Sequence, residues 1–276
     1  MSTAKAMTST YKYIMLLLGL LVFIGPLLWL LSTMLKTQDQ TYVFPPKLLP
    51  NPLTFSSFSR LFETMSLMPR WIMNSFAVSI INGLGTILTS SLIAFGFART
   101  RSRLRSVLFI IVLATLMIPS QVTLIPMYIL FSKIGWYDTW LPLTIPVFLA
   151  NPYFIFLFRQ FFMTLPRELD EATYVDGGNY WTIYSKVILP LSGPIIISGF
   201  IFAFVFTWTD YFSPLIFIQS EKLQMMSVGL QLIMGKNSQD LPMMAAGSFL
   251  ALVPIAVIYF TAQKYFVDGV VMSGIK

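Results

Sequence analysis

The chain has 276 residues, 56% of them apolar and 11% charged, against roughly 25% charged in a soluble domain. It contains no cysteine and no histidine, which excludes a disulfide framework, a thiolate zinc site, a Cys nucleophile and a His-based triad within it. A net charge of +7 would suggest nucleic acid in a soluble protein, but an apolar, aromatic-rich chain points to a membrane instead, with no nucleic-acid partner.

Six runs carry no Asp, Glu, Lys or Arg: 13–35, 71–98, 106–132, 139–158, 187–209 and 241–263. Each reaches the length of about 20 residues needed to cross the hydrocarbon core. The expected architecture is all-α and polytopic, one transmembrane domain over 1–276. Its helices are expected at about 13–35, 71–98, 106–132, 139–162, 190–218 and 243–264. The first run exceeds the roughly 7–15 residues of a signal-peptide core, and no A-x-A-like site follows Leu35, so it reads as a retained helix.

Lys and Arg set the orientation. With the N-terminus in the cytoplasm, 11 of the 18 fall inside, four of them in the turn Arg99–Arg105. Both termini are then cytoplasmic. Trp29, Trp71, Trp136 and Trp140 fall near outer span ends, as an aromatic belt would. The outer segments are 36–70, which begins as an extended, proline-punctuated stretch, and 219–242, where Gly235, Lys236 and Asn237 mark a turn.

The inner segment 166–190 is the most polar part of the chain. Pro166 sits near a helix start, and Glu168, Asp170 and Glu171 complement its positive end. Gly177-Gly178 stops that helix. Asn179 can cap a second one, with Tyr180, Ile183, Tyr184 and Val187 on one face, which Pro190 ends. The residues alone leave two readings. One is an interfacial loop under the bilayer, which suits Trp181 and the tyrosines; the other is an acidic docking element for a basic cleft on a cytoplasmic partner.

Glu171-Ala172-Thr173, three residues, Gly177, nine residues and Val187-Ile188-Leu189-Pro190 resembles the EAA motif of ABC-transporter permeases, with Thr173 for the second alanine and Val187 for isoleucine. Asn74-Ser75, Phe97-Ala98-Arg99, Met117-Ile118-Pro119 with Gln121 to Pro126, Trp208-Thr209-Asp210 and Tyr265-Phe266-Val267 extend the likeness to carbohydrate importers. The nearest resemblance is to the six-helix partner of the maltose-type heterodimer. It implies a type I importer permease fold and an ATPase-coupling set of Glu168, Asp170, Glu171, Ala172, Asp176, Gly177, Leu189 and Pro190. In that family the EAA glutamate pairs with a basic residue of the ATPase, a role that falls here to Glu171. The outer loop of such relatives reaches the solute-binding protein, which makes Met234, Gly235, Lys236 and Asn237, within 233–241, the candidate contact. The implied partners are a second, longer permease, two copies of an ATPase and an extracytoplasmic binding protein.

Within the spans, Asp210 is the sole charge at a plausible bilayer depth if span five continues through Ile218. It either lines a path beside Tyr211, makes a structural hydrogen bond, or lies solvated near the outer end. Gln121 after Pro119-Ser120, and Asn151-Pro152, combine amides with helix breakers; they either line a path or bond between helices. Gly83, Gly85, Ser90 and Ser91 read as close-packing positions. No metal site is expected. No G-x-x-x-x-G-K-[ST] loop is present, so nucleotide chemistry, and its Mg-ATP, would belong to a partner and the chain itself is no enzyme. The expected function is a permease subunit for a sugar or oligosaccharide in a bacterial or archaeal cell membrane. The alternatives are a solute such as a glycerol phosphate, or an ion-coupled secondary transporter. The latter wants inverted repeats and midplane acids, and no repeat is visible.

Overall fold

A computed structural model describes residues 2–236 and 239–271, with side chains described over 12–235 and 239–263. Among the described residues all regular structure is helical. Four helical stretches are long and apolar enough to span a bilayer: Lys12–Met34, Met68–Arg99, Leu141–Thr164 and Leu241–Gln263. Two further pairs do so together but bend: Arg105–Thr115 with Ser120–Lys133 by 90°, and Tyr180–Leu191 with Gly193–Thr209 by 79°. Counting each bent pair as one span gives the six expected.

In chain order the helices are α1 (Ser2–Met34), α2 (Gln38–Thr41), α3 (Ser56–Thr64), α4 (Met68–Arg99), α5 (Arg105–Thr115), α6 (Ser120–Lys133) and α7 (Leu141–Thr144). A 3-10 turn, Ile145–Leu149, leads to α8 (Pro152–Thr164) and α9 (Glu168–Val175). Then α10 (Tyr180–Thr182) runs through a π-helical stretch, Ile183–Ile188, into α11 (Leu189–Leu191). The remainder are α12 (Gly193–Thr209), α13 (Phe212–Phe217), α14 (Met226–Lys236) and α15 (Leu241–Val271). The bends have local causes. Pro119 has no N–H to continue α5, and Gly193-Pro194 restarts the chain after Ser192.

Two expectations are corrected here. Span five does not continue to Ile218: α12 ends at Thr209, Asp210 is extended, and α13 is separate. The segment 219–242 is not all loop: α14 occupies Met226–Lys236, so Gly235 and Lys236 lie in helix, and Asn237 lies outside the described residues. Met226, Val228 and Ile233 are buried along α14, a helical pattern that Gly229 and Gly235 conceal in the sequence.

The chain divides into two compact units, Met1–Met68 with Leu230–Val253 and Pro69–Gly229 with Pro254–Lys276. In the first, the α1 side chains from Tyr13 to Leu31 are largely exposed, which suits lipid or a partner and not water. Here α3 inserts Leu61 against Gly247 and Ile233, and Phe58 meets Phe249 edge-on. Arg60 grips Asp240 with two donors at 2.8 and 3.1 Å, while Asp240 also caps α15 through Met243 N–H at 3.0 Å.

In the second unit, Phe154, Phe158 and Phe162 recur every fourth residue on one face of α8 and are fully buried against α4, α12 and the π-helical stretch. Small residues make room for Phe158 and for two rings outside this row. A Cβ on Gly199 would lie 2.7 Å from the Phe158 ring, one on Gly83 2.6 Å from Phe200, and one on Gly85 2.9 Å from Phe148. Ser91 bonds the Tyr184 hydroxyl at 2.8 Å, and Ser90 accepts from Asn151 N–H at 3.2 Å. Gly83 and Gly85 have the packing role read for them, while Ser90 and Ser91 are buried and also bond between helices. At bilayer depth such close fit, with few hydrogen bonds, holds helices together where water exclusion cannot.

Trp71 and Trp140 make internal hydrogen bonds. Trp71 is buried and donates to the Glu221 carbonyl at 2.6 Å, and Trp140 donates to the Leu223 carbonyl at 3.0 Å. Trp136 stacks on Phe131. Trp29 is exposed with Lys36 4.6 Å over its ring, as an interface residue would be.

Candidate functional site: a coupling element and a polar cleft

The α9–α11 segment is built as a presented element. Arg167 opens α9, and the backbone N–H groups of Asp170 and Glu171 donate to its carbonyl at 2.9 and 3.2 Å. At the other end Gly178 N–H reaches Thr173 O at 2.8 Å and Gly177 N–H reaches Tyr174 O at 3.0 Å. That pair of bonds is the Schellman stop, and Gly177 takes the required left-handed conformation at φ +79°. A Cβ on Gly178 would sit 2.6 Å from the Thr173 methyl, so both glycines are dictated by the turn. Asn179 then caps α10, its Oδ1 accepting from Thr182 N–H at 3.0 Å.

Across this turn Glu168, Glu171, Ala172, Asp176, Gly177 and Pro190 are exposed. Leu189 faces the aromatic core instead. Asp170 is also turned inward. Its Oδ2 accepts from Arg99 Nη1 at 3.2 Å, and Arg99 Nη2 donates to the Phe162 and Leu165 carbonyls, each at 2.9 Å. The side chains are 2% and 14% exposed. Burial pushes the Asp170 carboxyl up, against the pull of Arg99 and Arg167. Arg99, at the end of α4, therefore ties that helix to α8 and α9 in one cluster. Sequence reasoning named Arg99 within a motif but assigned it no role. Beside it, Arg101, Arg103, Arg105 and Arg167 line a shared hollow that gives this end of the unit a basic surface.

Toward the opposite end of α4 lies a second feature, a cleft of ≈ 440 Å³ lined by Ser75, Asn82, Thr207, Thr209, Asp210 and Ser213 among apolar groups including Leu143 and Phe206. Of the pathway candidates only Asp210 is here; its Oδ1 accepts from Ser213 N–H at 3.2 Å and its carbonyl from the Ser227 hydroxyl at 2.6 Å. Tyr211 opens α13 and packs edge-on with Phe212. Asn151 is the N-cap of α8, with Oδ1 accepting from Tyr153 N–H at 2.9 Å, and its backbone N–H reaches Ser90 Oγ of α4 at 3.2 Å. Gln121 is exposed at the first turn of α6. Asn82, which sequence reasoning missed, stands between Ile81 and Gly83 in a run of apolar and small residues that sets it in no motif; its role shows only in three dimensions. Of the binding-protein candidates, Met234 and Gly235 lie on α14, as does the Lys236 backbone; the Lys236 side chain and Asn237 lie outside the described residues.

Six spans with a capped, outward-facing acidic turn define a polytopic membrane transport subunit. Residues 82–270 match the family described as the inner membrane component of binding-protein-dependent transport systems, and the chain belongs to that family. It is a multi-pass membrane protein of the type I importer permease fold. It is 29% identical over 245 residues to the arabinooligosaccharides transport system permease protein AraQ of Halalkalibacterium halodurans, covering 89% of this chain and 86% of that one. It is 31% identical to the sn-glycerol-3-phosphate transport system permease protein UgpE of Salmonella choleraesuis, covering 95% and 96%. Among solved structures, a chain of a bacterial ABC transporter involved in import of the acidic polysaccharide alginate superposes with a TM-score of 0.83, at 19% identity, over 95% of this chain and 98% of that one. At that identity the likeness speaks for the fold alone.

Proposed function

We propose that this chain is one of two permease subunits of a carbohydrate importer, driven by a separate ATPase that docks on Glu168–Pro190. The observation that carries the coupling reading is the exposed EAA-like turn, with Glu171 and Ala172 facing outward while Asp170 anchors the helix behind them to Arg99. In this reading, closure of the ATPase pair on ATP displaces α9. The rigid cluster of α9, Arg99 and the α8 carbonyls passes that displacement to α4 as a shift between two discrete states. The basic surface around Arg101–Arg105 supports a cytoplasmic position for this end.

The family's dependence on a binding protein, and the arabinooligosaccharide, lactose and melibiose/raffinose/stachyose systems among its relatives, support a carbohydrate load. A phosphorylated polyol is the second reading, favoured by the sn-glycerol-3-phosphate relative. Purification of the tagged chain in mild detergent, with co-purifying proteins identified by mass spectrometry, tests the assembly. A P-loop ATPase and a second permease are expected, and Glu171→Lys is expected to lose the ATPase while keeping the second permease. Recovery of the chain alone overturns the reading.

A further inference from the structure

Four arginines meet at one end of the second unit without an acid to balance them. Arg101, Arg103 and Arg105 come from the turn between α4 and α5, and Arg167 stands at the N-cap of α9. With Ser102 they line one open hollow of ≈ 370 Å³. Among the described residues the ion pairs are Arg60–Asp240 and Arg99–Asp170, so no carboxylate lies within 4.0 Å of any of the four. Asp170 and Glu171 lie in an adjoining hollow, which Arg101 and Arg167 also line, and Asp170 is already held by Arg99. Arg101, Arg103 and Arg167 are exposed, and Arg105 spends a donor on the Thr100 carbonyl at 2.9 Å. Each guanidinium carries five N–H donors in a planar fork that matches a phosphate. The hollow has the donors and the charge of an anion site.

The surface beside the hollow says which anion. Helix α5 begins at Arg105, and Leu104, Val107, Leu108 and Ile111 fall at the spacing of one helical face. All four are exposed, while Phe109 on the opposite side is buried. An apolar stripe therefore runs from the arginine cluster into the span. A phosphodiester suits the arginines and acyl chains suit the stripe, so one anionic phospholipid satisfies both. A soluble anion would use the hollow alone, and an acidic protein surface would leave the stripe bare. Basic pockets beside membrane helices are established seats for anionic headgroups in general.

We infer that the hollow between the α4–α5 turn and α9 binds the phosphate of an anionic phospholipid whose acyl chains lie along the exposed face of α5. The bound phosphate draws Arg167 and the α4–α5 arginines together, a second tie between α9 and the end of α4 beside the Arg99–Asp170 bond. Lipid binding is independent of the ATPase reading; only its effect on coupling rests on that reading.

Native mass spectrometry tests the site on the tagged chain, purified with its partners in mild detergent and equilibrated with equal amounts of phosphatidylglycerol and phosphatidylcholine. Phosphatidylglycerol is expected to be retained about tenfold over phosphatidylcholine. Arg103→Gln and Arg167→Gln are each expected to lower that preference about fivefold, the effect of one surface cation on anionic lipid. Lys12→Gln removes the same charge from α1 and is expected to leave the preference unchanged. In intact membranes, a photo-crosslinking residue in place of Ser102 is expected to form an adduct with phospholipid. Equal retention of the two lipids, or an equal loss in Lys12→Gln and Arg103→Gln, overturns the site. Displacement of phosphatidylglycerol by millimolar inorganic phosphate overturns the role of the stripe and leaves a soluble-anion site. An adduct with protein alone at Ser102 overturns the lipid in favour of a docking surface. If either arginine variant fails to assemble, the Ser102 adduct decides. The lipid preference is expected with or without a co-purifying ATPase, so its failure leaves the coupling reading standing.

Discussion

Arg99→Met removes a guanidinium whose side chain is 2% exposed and keeps most of its apolar stem. Three bonds are lost: one to Asp170 at 3.2 Å and two to the Phe162 and Leu165 carbonyls at 2.9 Å. The carboxyl of Asp170 is left in a pocket where burial already disfavours its charge. Removing one member of a buried pair is destabilising by about 3–5 kcal/mol, and the residual exposure of Asp170 sets the lower end, about 3 kcal/mol, or about a hundredfold in the equilibrium for α9 leaving its seat. Asp170→Asn is milder, about 1–2 kcal/mol, because Arg99 keeps both carbonyls. Hydrogen exchange of the α9 amides in the purified complex reads this opening directly. The double variant must fall short of the sum of the singles, since the second substitution removes a bond already lost. Strict additivity, or α9 exchange unchanged in Arg99→Met, would refute the tether.

Gly229→Ala would drive a Cβ into the Trp71 ring, which its bond to Glu221 holds in place; a loss of about 1–3 kcal/mol, seen as a lower thermal midpoint of the detergent-solubilised protein, is expected. Gly177→Val puts a β-branched residue at φ +79°, so α9 should fray at its stop and ATPase-coupled uptake fall while the amount of protein in the membrane holds. Asp138 is held below its ordinary value of 3.8 first by the Ser220 hydroxyl and then by the Ser220 and Gln219 amides. A depressed carboxyl stabilises above its unfolded value and loses that contribution as pH falls through the folded one. Protease cleavage near Ser220 should therefore rise below about pH 4, and Asp138→Asn should abolish that pH step.

What was legible in the sequence, and what was not, follows from the range of the interactions. The six spans were readable because charge is excluded from hydrocarbon residue by residue, and the α9 stop because Gly177 and Gly178 answer a local backbone requirement. Asn179 as a cap belongs to the same class. The end of α12 was misplaced because Trp208 to Ile218 is apolar on both sides of Asp210, and composition alone does not say that the backbone turns there. The cap role of Asn151 was not legible because a cap, a path residue and an interhelical amide share the same chemistry until the N–H at Tyr153 is placed. Asp170 looked like a docking acid because nothing in its neighbours points to Arg99, 71 residues away. Asn82 was silent for the same reason: its partners are Leu143 and Thr207.

The central claim is that the exposed turn after Asp170 is where a separate ATP-hydrolysing subunit seats. A photo-crosslinking residue in place of Ala172, activated in intact membranes, tests it most directly, with the same group in place of exposed Phe23 on α1 as the control. An adduct with a P-loop ATPase at Ala172 and not at Phe23 is the expected result. Adducts with lipid alone at both positions would contradict it, and the turn would then be an interfacial loop.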